Sequence, residues 1–257
     1  LMTSHRISQD LLWRNLCDSI VLSKIDTNGT QIYQKTINKE ITDESSISTN
    51  YSLNIINNTL FVTSSYWSKI NVNPNNSNKD IENKRKVTVY DDWLVQAFNN
   101  YLAAYDTSGN FMFVFTNQLF PNFKYGCSDS TNSIFFIAEP NGCCGRYPLN
   151  FNINSEDSVL VALENDVESV IAKYSSNLDF NWVRKLTGKI KYIGISYTWN
   201  GVEQINIAGD FQGTLNLGFE NPNEITCTSI DRDIFHSIYV NLNHSISPTL
   251  IHEFIRT

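Results

Sequence analysis

The sequence contains no run of 18 apolar residues, so no segment reads as a membrane-spanning helix. Basic residues are the minority charge, 19 Lys and Arg against 26 Asp and Glu, giving a net charge of −7 and a pI near 5.1. That balance argues against general binding to nucleic acid or to an anionic membrane. The one basic run, Lys84-Arg85-Lys86, follows an Asn-rich stretch and reads as a solvated loop. G-x-S-x-G, H-E-x-x-H, P-loop and G-x-G-x-x-G patterns are all missing, so no catalytic residue and no cofactor is expected. Residues 1–16 lack a basic start followed by an apolar core, and no secretory signal is read there. The five cysteines (Cys17, Cys127, Cys143, Cys144 and Cys227) have no metal-ligand spacing. An odd count leaves at least one thiol unbridged, and buried thiols are preferred over a bridge from Cys127 to Cys143 or Cys144.

What is present points to β structure. Apolar residues make up 41% and aromatics 12%, which suits an aromatic-rich sheet protein. A compact chain of this length removes roughly 70–75% of its unfolded surface from water and requires no staple. Asn fills 33 of 257 positions. AT-rich codons account for that bias without any demand of function.

A phrase recurs along the chain. It reads Ser19-Ile-Val-Leu-Ser-Lys-Ile-Asp-Thr-Asn-Gly-Thr30, then Asn100-Tyr-Leu-Ala-Ala-Tyr-Asp-Thr-Ser-Gly-Asn110, then Ser169-Val-Ile-Ala-Lys-Tyr-Ser-Ser-Asn177. A weaker copy is Ser237-Ile-Tyr-Val-Asn-Leu-Asn-His-Ser245. Ile25, Tyr105, Tyr174 and Leu242 then stand 80, 69 and 68 residues apart. A second strand follows each phrase, at 31–36, 111–116 and 180–186. Next come alternating pairs at 51–56 with 60–64, at 124–128 with 134–138, and at 193–198 with 204–208. Each repeat closes on a tail: Lys69-Ile-Asn-Val72, Pro148-Leu-Asn-Phe151 and Thr214-Leu-Asn-Leu217. Trp13 and Trp93 each lie 13 residues before the turn Asp26 or Asp106. Short runs rich in Ile, Val, Phe and Tyr between small polar clusters read as strands, and four strands per repeat read as a blade. The expected fold is all-β: a single β-propeller-like domain over 1–257 of four-stranded antiparallel blades, in units of about 8–87, 88–156, 157–225 and a partial 226–257. The partial fourth unit suggests a section of a longer protein, in preference to a small, divergent propeller closed by irregular structure. The extra length of the first unit is assigned to solvated insertions at 41–49 and 73–86.

The phrasing resembles the SBBP-type β-propeller repeat family. The resemblance rests on Val170-Ile-Ala-Lys-Tyr174, the Trp-bearing Phe180-Asn-Trp-Val-Arg-Lys-Leu186, Ile205-Asn-Ile-Ala-Gly-Asp-Phe211 and Gly213-Thr-Leu-Asn-Leu-Gly218. Its strong part is 168–218. The second repeat keeps the first hairpin but has Glu139-Pro-Asn-Gly-Cys-Cys-Gly-Arg-Tyr147 in place of the Gly-Asp-Phe region. The resemblance implies a bladed fold and carries over no catalytic residue.

Asp26-Thr-Asn-Gly29 and Asp106-Thr-Ser-Gly109 look like half of a calcium loop, but lack the distal Glu and read as hairpin turns. His236, His244 and His252 are too far apart along a strand to converge on a metal, so no metal site is expected. Asp91-Asp92, Glu156-Asp157, Asp210 and Asp231-Arg-Asp233 are the acids a glycoside hydrolase would draw on, with Asp210 alone at a strand end. Sequons occur at Asn28, Asn57, Asn75 and Asn243. Tyr66, Trp67, Tyr147 and Trp199 sit at expected turns or strand ends and are the candidate binding-surface aromatics. The expected function is a non-enzymatic structural or interaction module with protein partners in a larger assembly, such as a cell surface or virus particle. A glycan-binding or glycan-hydrolysing propeller is the alternative.

Overall fold

The computed structural model describes residues 2–5, 16–17, 19–39, 47–48, 51–66, 69–73, 75, 80–82, 88–90, 93–95, 99–117, 121–139, 148–155, 157–162, 168–187, 189–197, 203–216, 226–242 and 245–247. Among them every regular element is a β-strand, and the described strand pairings are antiparallel. The chain divides into two compact units, 1–53 with 58–122, and 54–57 with 123–257.

In the first unit, one sheet runs in the order Met2–His5, Ser19–Ile25, Gln31–Lys39, Lys69–Asn71 and Asp80–Glu82. A second runs Phe111–Asn117, Asn99–Tyr105, Thr59–Tyr66, Ile47–Ser48 and Leu16–Cys17, with Ser52–Ile56 paired to Thr59–Tyr66. These two sheets share a core. Ile20, Leu22, Ile37 and Ile70 of the first meet Val62, Tyr101, Ala103 and Tyr105 of the second, and Val72 belongs to the same cluster. In the second unit, a third sheet orders Asn122–Ser128, Ile134–Glu139, Glu168–Tyr174 and Phe180–Thr187, and a fourth orders Lys189–Tyr197, Glu203–Asn216, Thr226–Leu242 and Ser245–Ser247. Phe135, Ile137, Ile171 and Leu186 of the third pack on Ile193, Ile205, Ile207, Phe211 and Phe235 of the fourth. Burying one such Ile, Leu or Phe contributes roughly 1.5–3 kcal/mol, so this interlayer is the main source of the second unit's cohesion.

Side-chain alternation explains the fourth sheet: Ile205 and Ile207 point into the core, while Asn206 and Ala208 point away and are only half-buried. The third sheet has no such alternation. Ile134 through Ala138 are buried without a break, and Phe136 turns away from the interlayer to stack on Phe123 at 4.7 Å. A strand buried on both faces reads as a continuous apolar run, as Ile-Phe-Phe-Ile-Ala does here.

The second, third and fourth sheets are out of phase with the sequence repeat. The second sheet joins the later hairpin of repeat one (52–66) to the first hairpin of repeat two (99–117). The third joins the later hairpin of repeat two to the first hairpin of repeat three. The fourth joins the later hairpin of repeat three to the two strands of the partial fourth repeat. The tails also pair: Lys69–Asn71 with Asp80–Glu82, Leu149–Asn150 with Leu160–Val161, and 214–216 with 226–228. Two expectations need correcting. The stretches 41–49 and 73–86 are not merely solvated insertions, since Ile47–Ser48 and Asp80–Glu82 within them are paired into sheets.

Candidate functional site

The repeated residues build the turns of the hairpins. Asp26 accepts the amides of Asn28 and Thr30 through Oδ1, and Asp106 accepts those of Ser108 and Asn110. Ser175 does the same for Asn177 and Asp179 through its hydroxyl. A fourth copy, unmarked by the repeat, is Asp129 accepting from Thr131 and Ser133. All four are one five-residue turn, closed by a backbone bond between the first and fifth residues and another between the first and fourth. The fourth residue must then enter the left-handed region, and Gly29, Gly109, Asn132 and Leu178 have φ of 85°, 77°, 63° and 66°. In Asp106 these bonds, led by the Asn110 amide, hold the carboxyl below its ordinary pKa. The acids of the supposed calcium half-loops therefore ligate their own backbone.

Asp129 goes further. Its side chain is fully buried, and Lys173 Nζ lies 3.2 Å from Oδ2 and 5.0 Å from the centre of the Phe135 ring. Burial pushes the carboxyl up, but the Thr131 hydroxyl, the Ser133 amide and Lys173 together hold it below the ordinary value.

The repeat's tyrosines have a matching structural duty. Tyr105 donates its hydroxyl to the Val72 carbonyl at 2.6 Å, and Tyr174 donates to the Phe151 carbonyl at 2.9 Å. Both acceptors are the last residue of a repeat tail. Each tyrosine thus clips the first hairpin of one repeat to the tail of the preceding one. Burial, with Tyr101 adding to it for Tyr105, raises both phenols well above 10. Leu242 stands at the equivalent fourth position and has no hydroxyl to donate.

Of the candidate aromatics, Tyr66 is a correction. It is 1% exposed, its ring edge-on to Tyr101 and its hydroxyl 3.0 Å from Thr116 Oγ1, so it is a core residue and not a binding surface. The apolar strand Thr59–Tyr66 carries it inward. Trp67, Tyr147 and Trp199 lie outside the described residues, as do Asp91, Asp92, Glu156, His244 and His252. Asp210 sits within strand Glu203–Asn216 and not at its end, opposite Lys189 and Ile234, while Asp233 is opposite Phe211. Neighbouring positions in a strand face opposite ways, so Asp210 and Asp233 cannot converge on one glycosidic bond. His236 pairs with Asn206 Oδ1 at 3.3 Å, and among the described residues no three His, Cys, Asp or Glu side chains gather as a metal site. Cys127 is half-buried and packs against the second unit's core, while Cys143 and Cys144 lie outside the described residues. Of the sequons, Asn57 is engaged: its Oδ1 accepts the Ser128 hydroxyl at 2.7 Å.

One surface escaped the sequence. On the face of the fourth sheet turned from the core, Tyr192 is 53% exposed and lies along its strand over Gly194, where a Cβ would come within 2.7 Å of the phenol Cζ. Ala208, opposite Tyr192, adds little height, and Asn206 with His236 forms a polar border. The arrangement is a flat aromatic plate beside an amide and an imidazole, able to stack on a sugar ring and bond its hydroxyls. The spacing Tyr192-x-Gly194 was its only sequence signal. No family model matches the chain, and no curated protein matches it.

Proposed function

We propose that the chain is a non-enzymatic structural or interaction module of the β-propeller type, working within a larger assembly such as a particle or cell surface. The observation that carries this reading is the employment of the repeat residues. Asp26, Asp106, Ser175, Tyr105 and Tyr174 are all engaged in holding turns and sheets, which is what a scaffold asks of its most recurrent positions. The out-of-phase sheets support the propeller form, since interleaving hairpins of successive repeats links neighbouring blades covalently. Small-angle scattering tests the form: a flat disc-like distance distribution is expected, and a rod-like one rejects it. Cross-linking of the native source tests the role. The chain should be recovered joined to neighbours, and recovery solely as a free monomer counts against it.

Glycan binding is the second reading, favoured by the Tyr192 plate. A glycan array with binding lost in Tyr192→Ala supports it, and an array without hits removes it.

A further inference from the structure

The first hairpin of each repeat ends in a strand of equivalent register. Gln31 pairs with Ile25, Phe111 with Tyr105 and Phe180 with Tyr174, each beside a bulge. Counting from there, Lys35, Phe115 and Arg184 occupy the same position, opposite Leu22, Leu102 and Ile171. Two repeats place a cation on this strand, and the second places a phenyl ring. In the third repeat the Arg184 guanidinium covers the Trp182 ring at 5.7 Å; in the second, Phe115 meets Phe113 at 5.2 Å. Phe111–Asn117 carries no charge at all, and Met112 is 50% exposed.

This strand is also the terminal one of its sheet. It bonds to Asn99–Tyr105 on one side, and among the described residues no strand pairs with the other. Folded proteins guard open edges with Lys or Arg because a charge opposes the docking of another strand. Arg184, on the terminal strand of the third sheet, is such a guard. Lys35 holds the same position on a strand whose far side is bonded, among the described residues, only at Asn38 and Lys39, and the second repeat has no charge there.

We propose that Phe111–Asn117 is a docking edge for a second copy of this chain, which adds its own 111–117 strand antiparallel and makes one continuous sheet across a two-fold axis. The strand is complementary to itself. Centred on Val114, antiparallel pairing sets Phe113 against Phe115 of the second copy twice over, extending the ring pair already present within the strand. No like charges meet there, although the chain carries −7 overall. The inference does not depend on whether the sheets close a ring.

Sedimentation velocity over roughly 1–100 μM is the test, a span that brackets a micromolar dimer. The intact chain should shift from monomer to dimer with concentration. Phe115→Lys, which installs the residue type found in the first repeat, should raise the dimer Kd roughly tenfold or more, the loss of two aromatic pairs. Hydrogen exchange on the unaltered chain reads the same surface without relying on a variant: amides of 111–117 should gain protection as concentration rises. A chain monomeric throughout, a dimer unaffected by Phe115→Lys, or protection arising elsewhere each overturns the proposal.

Discussion

Removing one oxygen from Tyr174 tests whether the tyrosine clips hold the repeats together. In Tyr174→Phe the ring and its edge contacts with Phe123, Phe136 and Phe180 remain, since no carbon moves. What is lost is the donor to the Phe151 carbonyl, 2.9 Å away in a fully buried setting. An intramolecular hydrogen bond contributes about 1 kcal/mol net, and a buried acceptor left without its donor costs about 1–3 kcal/mol. The expected loss is therefore about 1–3 kcal/mol, a shift of about 2–4 °C in Tm for each kcal/mol. Urea titration followed by circular dichroism measures it, with the m-value unchanged because the buried surface is the same. Tyr192→Phe, on an exposed ring, is the control and should stay within about 0.5 kcal/mol. If Tyr174→Phe costs no more than that control, the clip is incidental and the tyrosine recurs only for its ring.

Further outcomes follow from the same geometry. Both clip phenols are raised by burial, so their contribution is fully present below pH ~10 and is lost as pH rises through the folded values; Tyr105→Phe with Tyr174→Phe should flatten that alkaline limb of the stability curve. Gly29→Ala meets no atom within 4 Å and should cost only the left-handed penalty, about 1–2 kcal/mol, whereas Gly109→Ala also strikes the Tyr33 ring at 2.7 Å and should cost more in parallel thermal melts. Asp129 is held below its ordinary value, so its stabilisation is present above pH ~4 and lost as pH falls through the folded value; Asp129→Asn should weaken this acid limb in pH-dependent urea titrations. Lys173→Met leaves that buried carboxylate without its cation and should destabilise by about 1–3 kcal/mol in the same titrations at neutral pH.

The local elements were legible because their causes are local. Asp26-Thr-Asn-Gly29 and Asp106-Thr-Ser-Gly109 announce their turns, and the strands Ser19–Ile25, Asn99–Tyr105 and Glu168–Tyr174 fall where the repeated phrase lies. Asp129 makes the same turn in the other hairpin, where the sequence shows a polar turn but not its likeness to the repeated one, because the left-handed position is Asn132 and not glycine. Which hairpins share a sheet was not legible at all. Alternation fixes the face a residue takes and is silent about the neighbouring strand, so repeat boundaries stood in for sheet boundaries. The burial of Tyr66 is not legible in the sequence, because an aromatic at a strand end looks the same whether its neighbours cover it or not. The exposure of Tyr192 is hidden for the opposite reason, since a tyrosine within a strand passes for core until Gly194 shows where its ring lies.

The interleaving of hairpins has a consequence for how such a chain is made and altered. A fragment holding only the second or the third repeat carries half of two sheets and completes neither, so either repeat expressed alone should not fold. On the ribosome, each later hairpin must wait for the next repeat to emerge before its sheet can close. A duplication that inserts one whole repeat keeps every junction satisfied, because the added hairpins find partners on either side. A chain of this architecture can thus gain or lose whole repeats while the chemistry of each seam stays the same.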